Sequence, residues 1–138
     1  MKLTVAAELA VRGVLVLAER FGTEPVPLGR ICELRDLPRE YMTKIFASLA
    51  RADLITAVRG KHGGYRLARP PKDISLLEII EAVEGPIALN FCQHNPPQCD
   101  REDCPVRPVW SELQEIIRDK LASASLADCV VAGGQTGA

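Results

Sequence analysis

The sequence has few of the residues on which enzyme active sites and membrane segments depend. Only 2 of its 138 residues are histidine, aromatic residues make up 4%, and no apolar run approaches membrane-spanning length. Glu8 and Arg12 interrupt the first apolar stretch, so we expect no signal peptide. No nucleophile is paired with a base, and no glycine-rich nucleotide motif is visible. These absences argue against an enzyme and predict a cytoplasmic protein with no membrane segment.

Charge is distributed unevenly along the chain. Residues 1–72 contain 13 Lys and Arg against 7 Asp and Glu, a net charge of +6, whereas residues 73–138 contain 4 against 11, a net charge of −7. The first part is therefore suited to an anionic partner. We expect three regions: a basic head at 1–72, a region at 73–130 that contains a further helix, a cysteine loop (91–105) and a last helix, and a disordered tail at 131–138.

The head has the pattern of a helix-turn-helix. Thr4 can cap a first helix that ends near Gly22, a second short helix carries a buried Cys32, and Pro38 suits the first turn of a third helix. The apolar stripe of that third helix recurs at helical spacing, and its opposite face is polar and basic. Such a face after a tight turn is typical of a helix that reads DNA, although an ordinary solvated face gives the same pattern.

A short hairpin follows the third helix. Ile55 and Tyr65 lie in two short strand patterns, and the segment between them contains Gly60, Gly63 and Gly64 with basic residues at the tip. A basic hairpin in this position is a wing. The predicted fold class is mainly α with a small β-hairpin wing: a winged helix-turn-helix DNA-binding head at 1–72, followed by a region with a long C-terminal helix.

Three of the five cysteines lie within thirteen residues, at Cys92, Cys99 and Cys104. In a reducing compartment, clustered thiols with an odd total favour metal binding or redox chemistry over disulfides. Iron–sulfur, zinc and thiol-switch sites all remain open, but six and four intervening residues and no firm fourth ligand suit zinc poorly. Cys129 is isolated and is interpreted as a free thiol.

The last helix carries more apolar surface than one terminal helix can hide. Val109, Leu113, Ile116, Ile117 and Leu121 form its stripe. We expect a homodimer that packs on these helices and places two recognition helices roughly 34 Å apart on a palindromic operator. The alternative is that the helix folds back onto its own head.

Several motifs occur together in a characteristic order: Met1-Lys2-Leu3-Thr4, Val26-Pro27-Leu28, Val58-Arg59-Gly60, Gly63-Gly64-Tyr65 and the three-cysteine loop. In this order and spacing the chain resembles the Rrf2 family of winged helix-turn-helix regulators, from Met1 to about Val130. The resemblance implies a homodimeric regulator of double-stranded DNA, in which third helices enter major grooves and wings reach minor grooves. It assigns DNA contacts to Arg39, Glu40, Thr43, Lys44, Arg59 and Lys61.

The resemblance also implies a [2Fe-2S] or [4Fe-4S] cluster held by Cys92, Cys99 and Cys104, which senses redox, iron or nitric oxide status. One branch of the family completes the ligand set with a histidine three residues after the last cysteine, but this chain has Arg107 there, which has no lone pair to give. Another branch uses an acid from the other protomer's first helix. Glu8 of the partner subunit is therefore the candidate fourth ligand, and His94 or a ligand from outside the protein are the alternatives.

Two rival functions fit part of the sequence. A cluster-free regulator that works through its thiols would keep the head and the cysteines. An iron–sulfur carrier would need the cysteines but not the basic third helix or the wing, and it would show no salt-dependent DNA binding. In the preferred interpretation, cluster loss releases the ordered loop and shifts the two heads relative to each other.

Overall fold

The computed structural model describes residues 3–101 and 103–135. Eight helices and strands follow one another along the chain, with short 3-10 helices at Pro71–Asp73 and Phe91–Gln93. Their bounds are α1 Val5–Glu19, α2 Leu28–Arg35, α3 Arg39–Arg51, β1 Ile55–Val58, β2 Gly64–Leu67, α4 Leu76–Glu84, α5 Arg107–Ser123 and α6 Leu126–Gln135. The mainly helical fold with one antiparallel hairpin agrees with the predicted class.

The core of the head lies between α1, α3 and α4. Thr4 caps α1 by accepting a hydrogen bond from the backbone N–H of Ala7 at 3.1 Å, as its position predicts. Gly13 lies where α1 faces α3, and a Cβ there would come within 2.8 Å of the Met42 side chain. Phe46 is fully buried in the same layer. Close packing of α1 on α3 fixes the direction in which the opposite face of α3 points.

The turn between α2 and α3 depends on Asp36, which adopts a left-handed conformation with φ of 53°. Short polar residues tolerate this conformation better than most others. The N–H of Leu37 then donates to the carbonyl oxygen of Cys32 at 2.9 Å, which closes the turn. Pro38 precedes α3 as its N-cap, one position earlier than the expected first turn.

Cys32 is buried in the head, as the sequence predicts. Burial raises the pKa of its thiol, and the positive charge of Arg39 opposes that rise only in part. A neutral thiol in the core is inert, which separates Cys32 from the cysteines of the loop.

The wing is anchored by a third short strand segment that the sequence did not predict. Ile55 pairs with Leu67 at the base of the hairpin, and Val58 pairs with Gly64 near its tip. On the outer edge of β2, Val26 and Tyr65 exchange two backbone hydrogen bonds of 2.9 and 2.8 Å. The segment between α1 and α2 therefore holds the hairpin on its free edge.

The single long C-terminal helix expected from the sequence is divided into α5 and α6. The break falls at Ala124, whose extended conformation ends α5. Ser125 then caps α6: its Oγ accepts from the N–H of Asp128, and the Asp128 carboxylate accepts from the N–H of Ser125, both at 3.1 Å. Helix α6 runs to Gln135, within the tail that was expected to be disordered, and residues 136–138 lie outside the described residues.

Helix α6 packs into the core of the head, whereas α5 contributes no buried residue and contacts α4 from outside. Leu126 is fully buried in the core shared with α1. Two backbone hydrogen bonds, Leu76 N–H to Ala124 O at 2.9 Å and Leu126 N–H to Ile74 O at 3.0 Å, join the start of α4 to the start of α6. The α5–α6 junction is thereby tied to the edge of the head.

Candidate functional site

The outer face of α3 is free for a partner. Its inward stripe of Met42, Ile45, Phe46 and Leu49 is buried. The four predicted DNA-binding residues of this helix are all exposed, namely Arg39, Glu40, Thr43 and Lys44. Among the described residues, none of the four takes part in an ion pair. The Thr43 hydroxyl donates to the carbonyl oxygen of Arg39 at 3.0 Å, which leaves its methyl group and lone pairs outward.

Arg39 lies at the angle between α2 and α3. A Cβ added to Gly29 would lie 3.4 Å from the Arg39 Nη1 atom, so the guanidinium passes close to the α2 backbone. The lack of a side chain at Gly29 leaves room for this approach. Arg39 is thus held beside the first turn of α2 rather than extended freely from α3.

The wing presents its basic residues at the hairpin tip. Arg59 and Lys61 are exposed, and neither is ion-paired in the described part of the chain. The two sides of the hairpin approach each other closely near the tip. A Cβ at Gly63 would therefore collide with the Val58 carbonyl oxygen. All six residues predicted to contact DNA therefore lie exposed on the third helix and the wing.

The three clustered cysteines line one open pocket of about 170 Å³ at the start of α5. Its other walls are Asn90, Phe91 and Trp110. All three cysteines are half-buried free thiols. The loop thus folds so that all three cysteines face the same space.

Polar side chains hold Cys92 in place. The Cys92 thiol donates to the Asn90 side-chain oxygen at 3.1 Å, and the Gln93 amide nitrogen lies 3.1 Å from the Cys92 sulfur. The same Gln93 nitrogen donates to the Ser111 hydroxyl of α5 at 3.0 Å. Gln93 and Ser111 were not singled out from the sequence. The sequence did contain one indication of this role, because the amide side chain of Gln93 directly follows a clustered cysteine.

The sulfur atoms share a pocket, but they do not form a compact coordination set. In residues 3–101 and 103–135, no three His, Cys, Asp or Glu side chains lie close enough together to hold a single metal ion. Zinc sites and iron–sulfur clusters both take cysteine thiolates as ligands; in a zinc site all ligands contact one ion, whereas in a cluster they are divided among several irons.

The two candidates for a fourth ligand lie outside the cysteine pocket of the same chain. Glu8 is exposed in the first turn of α1, where its N–H donates to the Thr4 carbonyl oxygen at 3.1 Å. His94 lines a neighbouring cavity of about 450 Å³ together with Thr4 and Ile117. Neither side chain lines the pocket that the three cysteines share.

Arg107 begins α5 and is bound to the cysteine loop. Its Nη2 atom donates to the Cys99 carbonyl oxygen at 3.4 Å, and its backbone N–H donates to the Cys104 carbonyl oxygen at 3.1 Å. Its Nε atom is buried and meets no hydrogen-bond acceptor in the described part of the structure. The sequence excluded Arg107 as a ligand but gave no sign of these contacts.

Helix α5 leaves an apolar face uncovered. Throughout its described length of 17 residues, none is buried. Val109 and Ile116 are 57% and 58% exposed, which is high for apolar side chains on a regular helix. The opposite side is fixed to α4 through an ion pair of 2.7 Å between Arg118 and Glu81.

The segment that leads from α4 to the cysteines is bonded on both sides. The Ile87 N–H donates to the Glu81 carboxylate at 3.0 Å, and the Leu89 N–H donates to the Gln114 side-chain oxygen at 2.7 Å. The cysteine loop is therefore connected to α4 and to α5 at the same time.

None of the helices in the described residues has the length and apolar character needed to cross a membrane.

A family model described as "Rrf2: Iron-dependent Transcriptional regulator" matches residues 3–132. The chain belongs to the Rrf2 family of transcriptional regulators. Its resemblance to this family, inferred from the sequence motifs, is confirmed. The transcriptional regulator IscR of Xenorhabdus nematophila is 32% identical over 130 residues, which cover 94% of this chain and 79% of that relative.

Solved structures of Rrf2-type proteins have the same fold. IscR of T. potens superposes with a TM-score of 0.82 at 30% identity, covering 100% of this chain and 92% of that one. CymR of B. subtilis, described as the global cysteine regulator, superposes with a TM-score of 0.83 at 26% identity, covering 96% and 98%. The winged helix architecture predicted from the sequence is thereby confirmed, and its exposed third helix and wing are elements of a DNA-binding regulator.

Proposed function

We propose that the chain acts as a homodimer whose binding to a palindromic operator is switched by an iron–sulfur cluster. The observation that carries this proposal is the shared pocket of Cys92, Cys99 and Cys104 at the start of α5. Thiolates are the ligands that iron–sulfur clusters require. The likeness to IscR regulators supports the same assignment.

The residues around the pocket fit such a group. Three thiols come from one loop, and the apolar side chains of Phe91 and Trp110 form part of the wall. Gln93 places a donor 3.1 Å from the Cys92 sulfur, a contact of the kind that tunes cluster potentials. When bound, the cluster supplies redox- and iron-sensitive bonds that tie residues 92–104 together.

The six exposed residues of α3 and the wing have separate roles on double-stranded DNA. Thr43 and Glu40 present small or acidic groups suited to base edges in a major groove. Arg39 and Lys44 supply positive charge for the phosphates that flank them. Arg59 and Lys61 reach the adjacent minor groove from the wing tip.

Dimer formation rests on the uncovered face of α5. Two copies related by a two-fold axis would cover Val109 and Ile116 with each other, since a symmetric pair presents the same patch twice. The same axis places two α3 helices for successive major grooves. It also allows Glu8 of the partner subunit to approach the cysteine pocket as the fourth ligand.

The switch follows from the connections of the loop. Gln93 ties the Cys92 region to Ser111 of α5, and Arg118 of α5 is paired with Glu81 of α4. Release of the three cysteines frees the loop at the N-terminal end of α5, while the other end of that helix stays bonded to the head. The angle between α5 and the head then changes, and with it the distance between the two α3 helices.

The test compares DNA binding by the full chain in two states. Protein reconstituted anaerobically with iron and sulfide, and the same protein stripped by a chelator, are titrated against one operator at matched salt. We expect the two dissociation constants to differ at least tenfold. The triple variant Cys92→Ser, Cys99→Ser, Cys104→Ser should be colourless and bind as the stripped protein does. Cys129→Ser, outside the loop, should behave as the wild type.

Equal binding by the loaded and stripped forms would contradict the switch.

A second candidate function is that of a cluster-free regulator that works through the same thiols. The likeness to CymR, a protein described as a global cysteine regulator, favours it. This alternative predicts that the protein purified without oxygen contains no iron or sulfide. Its DNA binding would then change on thiol oxidation and recover on reduction with dithiothreitol.

A further inference from the structure

Arg107 is the first residue of α5, and it makes hydrogen bonds back to the cysteine loop. Its side chain holds the Cys99 carbonyl oxygen at 3.4 Å, and its backbone N–H holds that of Cys104 at 3.1 Å. Both of these cysteines line the shared pocket. Arg107 therefore contacts the backbone of two of the three cysteines, through its side chain at Cys99 and through its main chain at Cys104.

Within the described part of the chain, the Arg107 side chain makes one hydrogen bond and no ion pair. Its Nε atom is buried and meets no acceptor among residues 3–101 and 103–135. A guanidinium stays protonated at every physiological pH. A buried cationic donor without a partner is costly, unless the adjacent site holds an anion.

We propose that Arg107 is a positioning residue that compensates the negative charge of the group held by Cys92, Cys99 and Cys104. The inference rests on the proposed cluster function. A cluster bound by thiolates is anionic and becomes more negative by one charge when it accepts one electron. A half-buried guanidinium beside the site stabilises the reduced form more than the oxidised form, so Arg107 raises the reduction potential.

This role differs from that of a ligand. Arginine has no lone pair for iron, so Arg107 acts through its electric field and through its side-chain hydrogen bond to the Cys99 backbone. Arg107 then provides a fixed positive charge next to the cysteine loop. Removal of that charge is expected to make the cluster harder to reduce and easier to lose.

The experiment uses the full chain and its variants Arg107→Gln and Arg107→Lys, each reconstituted anaerobically with iron and sulfide. Iron and sulfide contents are measured first, and the midpoint potential of the one-electron reduction is then measured with dithionite as the electron donor. We expect Arg107→Gln to shift the potential to a more negative value and to lose iron to a chelator several times faster. Arg107→Lys should stay near the wild type, because it keeps the charge.

Lys120 provides a matched control, since it is an exposed cation in the last turn of the same helix. An equal shift in Lys120→Gln would show a mere net-charge effect and overturn the proposal. Unchanged potential and iron retention in Arg107→Gln would also overturn it, as would equal losses in Arg107→Lys. Should Arg107→Gln lose its helical circular dichroism, Arg107→Met replaces it under the same criteria. A wild type that takes up no iron would instead remove the proposed function, and this inference with it.

Discussion

The ring of Tyr65 in the wing meets the ring of Phe46 in the third helix edge-on, with ring centroids 5.0 Å apart and planes at 90°. Phe46 is fully buried, whereas Tyr65 is half-buried and also pairs through its backbone with Val26. The wing thus packs directly against the third helix. This contact links the positions of the two elements that are proposed to bind DNA.

This contact gives the first prediction. Tyr65→Leu keeps an apolar side chain but loses the edge-to-face contact, so we expect a loss of about 1–2 kcal/mol in the free energy of unfolding. DNA affinity should fall as well, because the wing is less firmly placed. Urea unfolding and an operator titration measure the two effects. Tyr65→Phe keeps the ring and should match the wild type, and a wild-type affinity for Tyr65→Leu would contradict the coupling.

Gly64 tests how the wing is attached to the segment before α2. A Cβ at this position would collide with the Val26 backbone, so Gly64→Ala should separate β2 from Val26. We expect DNA binding to weaken at least tenfold while the helical circular dichroism persists. Gly22→Ala is the matched control: Gly22 also has a positive φ, 88°, but its Cβ would meet nothing within 4 Å. That variant should lose about 1 kcal/mol of stability and keep its DNA affinity.

The exposed face of α5 gives a prediction about the stability of the dimer. Ile116→Glu places a charge on a side chain that is 58% exposed in the single chain but covered in the proposed dimer. The dimer should weaken by about 3 kcal/mol, since an unpaired charge is buried in each half. Phe21→Glu changes an apolar residue of the head that is 48% exposed and serves as the control. Sedimentation of both variants at micromolar concentration gives the result, and an unchanged dimer in Ile116→Glu would place the interface elsewhere.

Glu8 gives a prediction about the fourth ligand. Glu8→Ala should leave the fold intact, because Glu8 is exposed. It should alter the visible spectrum of the reconstituted cluster and speed its loss, whereas His94→Ala should not. The double variant Glu8→Ala, Arg107→His would place a histidine three residues after Cys104 and should recover cluster retention with a different spectrum. A Glu8→Ala spectrum identical to that of the wild type would remove Glu8 from the ligand set.

The N-terminus of α4 predicts a pH dependence of stability. Burial by itself raises the pKa of Glu78, but hydrogen bonds from the Ser75 N–H and from Arg69, with the charge of Arg69, outweigh it and lower the pKa from its ordinary 4.5. Since the folded pKa lies below the unfolded one, this contribution is full above the unfolded pKa and is lost as the pH falls through the folded pKa.

Glu78→Gln should therefore lower the melting temperature at pH 7, and its difference from the wild type should close in acid. Thermal unfolding between pH 7 and pH 3 measures this. Glu115→Gln alters an exposed glutamate of α5 and should show no such convergence. A difference that is constant over the whole range would mean that the carboxylate charge of Glu78 does not contribute.

Local patterns determined most of the head. The stripe through Met42, Ile45 and Phe46 predicted α3 and its outward face, because helical periodicity depends only on neighbours three and four residues apart. Ser75 predicted the start of α4 for the same reason, since its capping hydrogen bonds lie within one turn. The spacing of Ser125 and Asp128 carries the same local signal for α6, which was not recognised because a single last helix was expected.

The sequence by itself determined the order of the elements up to the last helix, the basic outer face of α3 and the wing, and the presence of three thiols in one loop. Only the tertiary structure decided that Val26 pairs with Tyr65, that α6 returns to the head while α5 stays uncovered, and that the Arg107 side chain reaches the Cys99 carbonyl oxygen. These contacts join residues of different elements. Their formation depends on how whole elements pack, which local propensity does not specify.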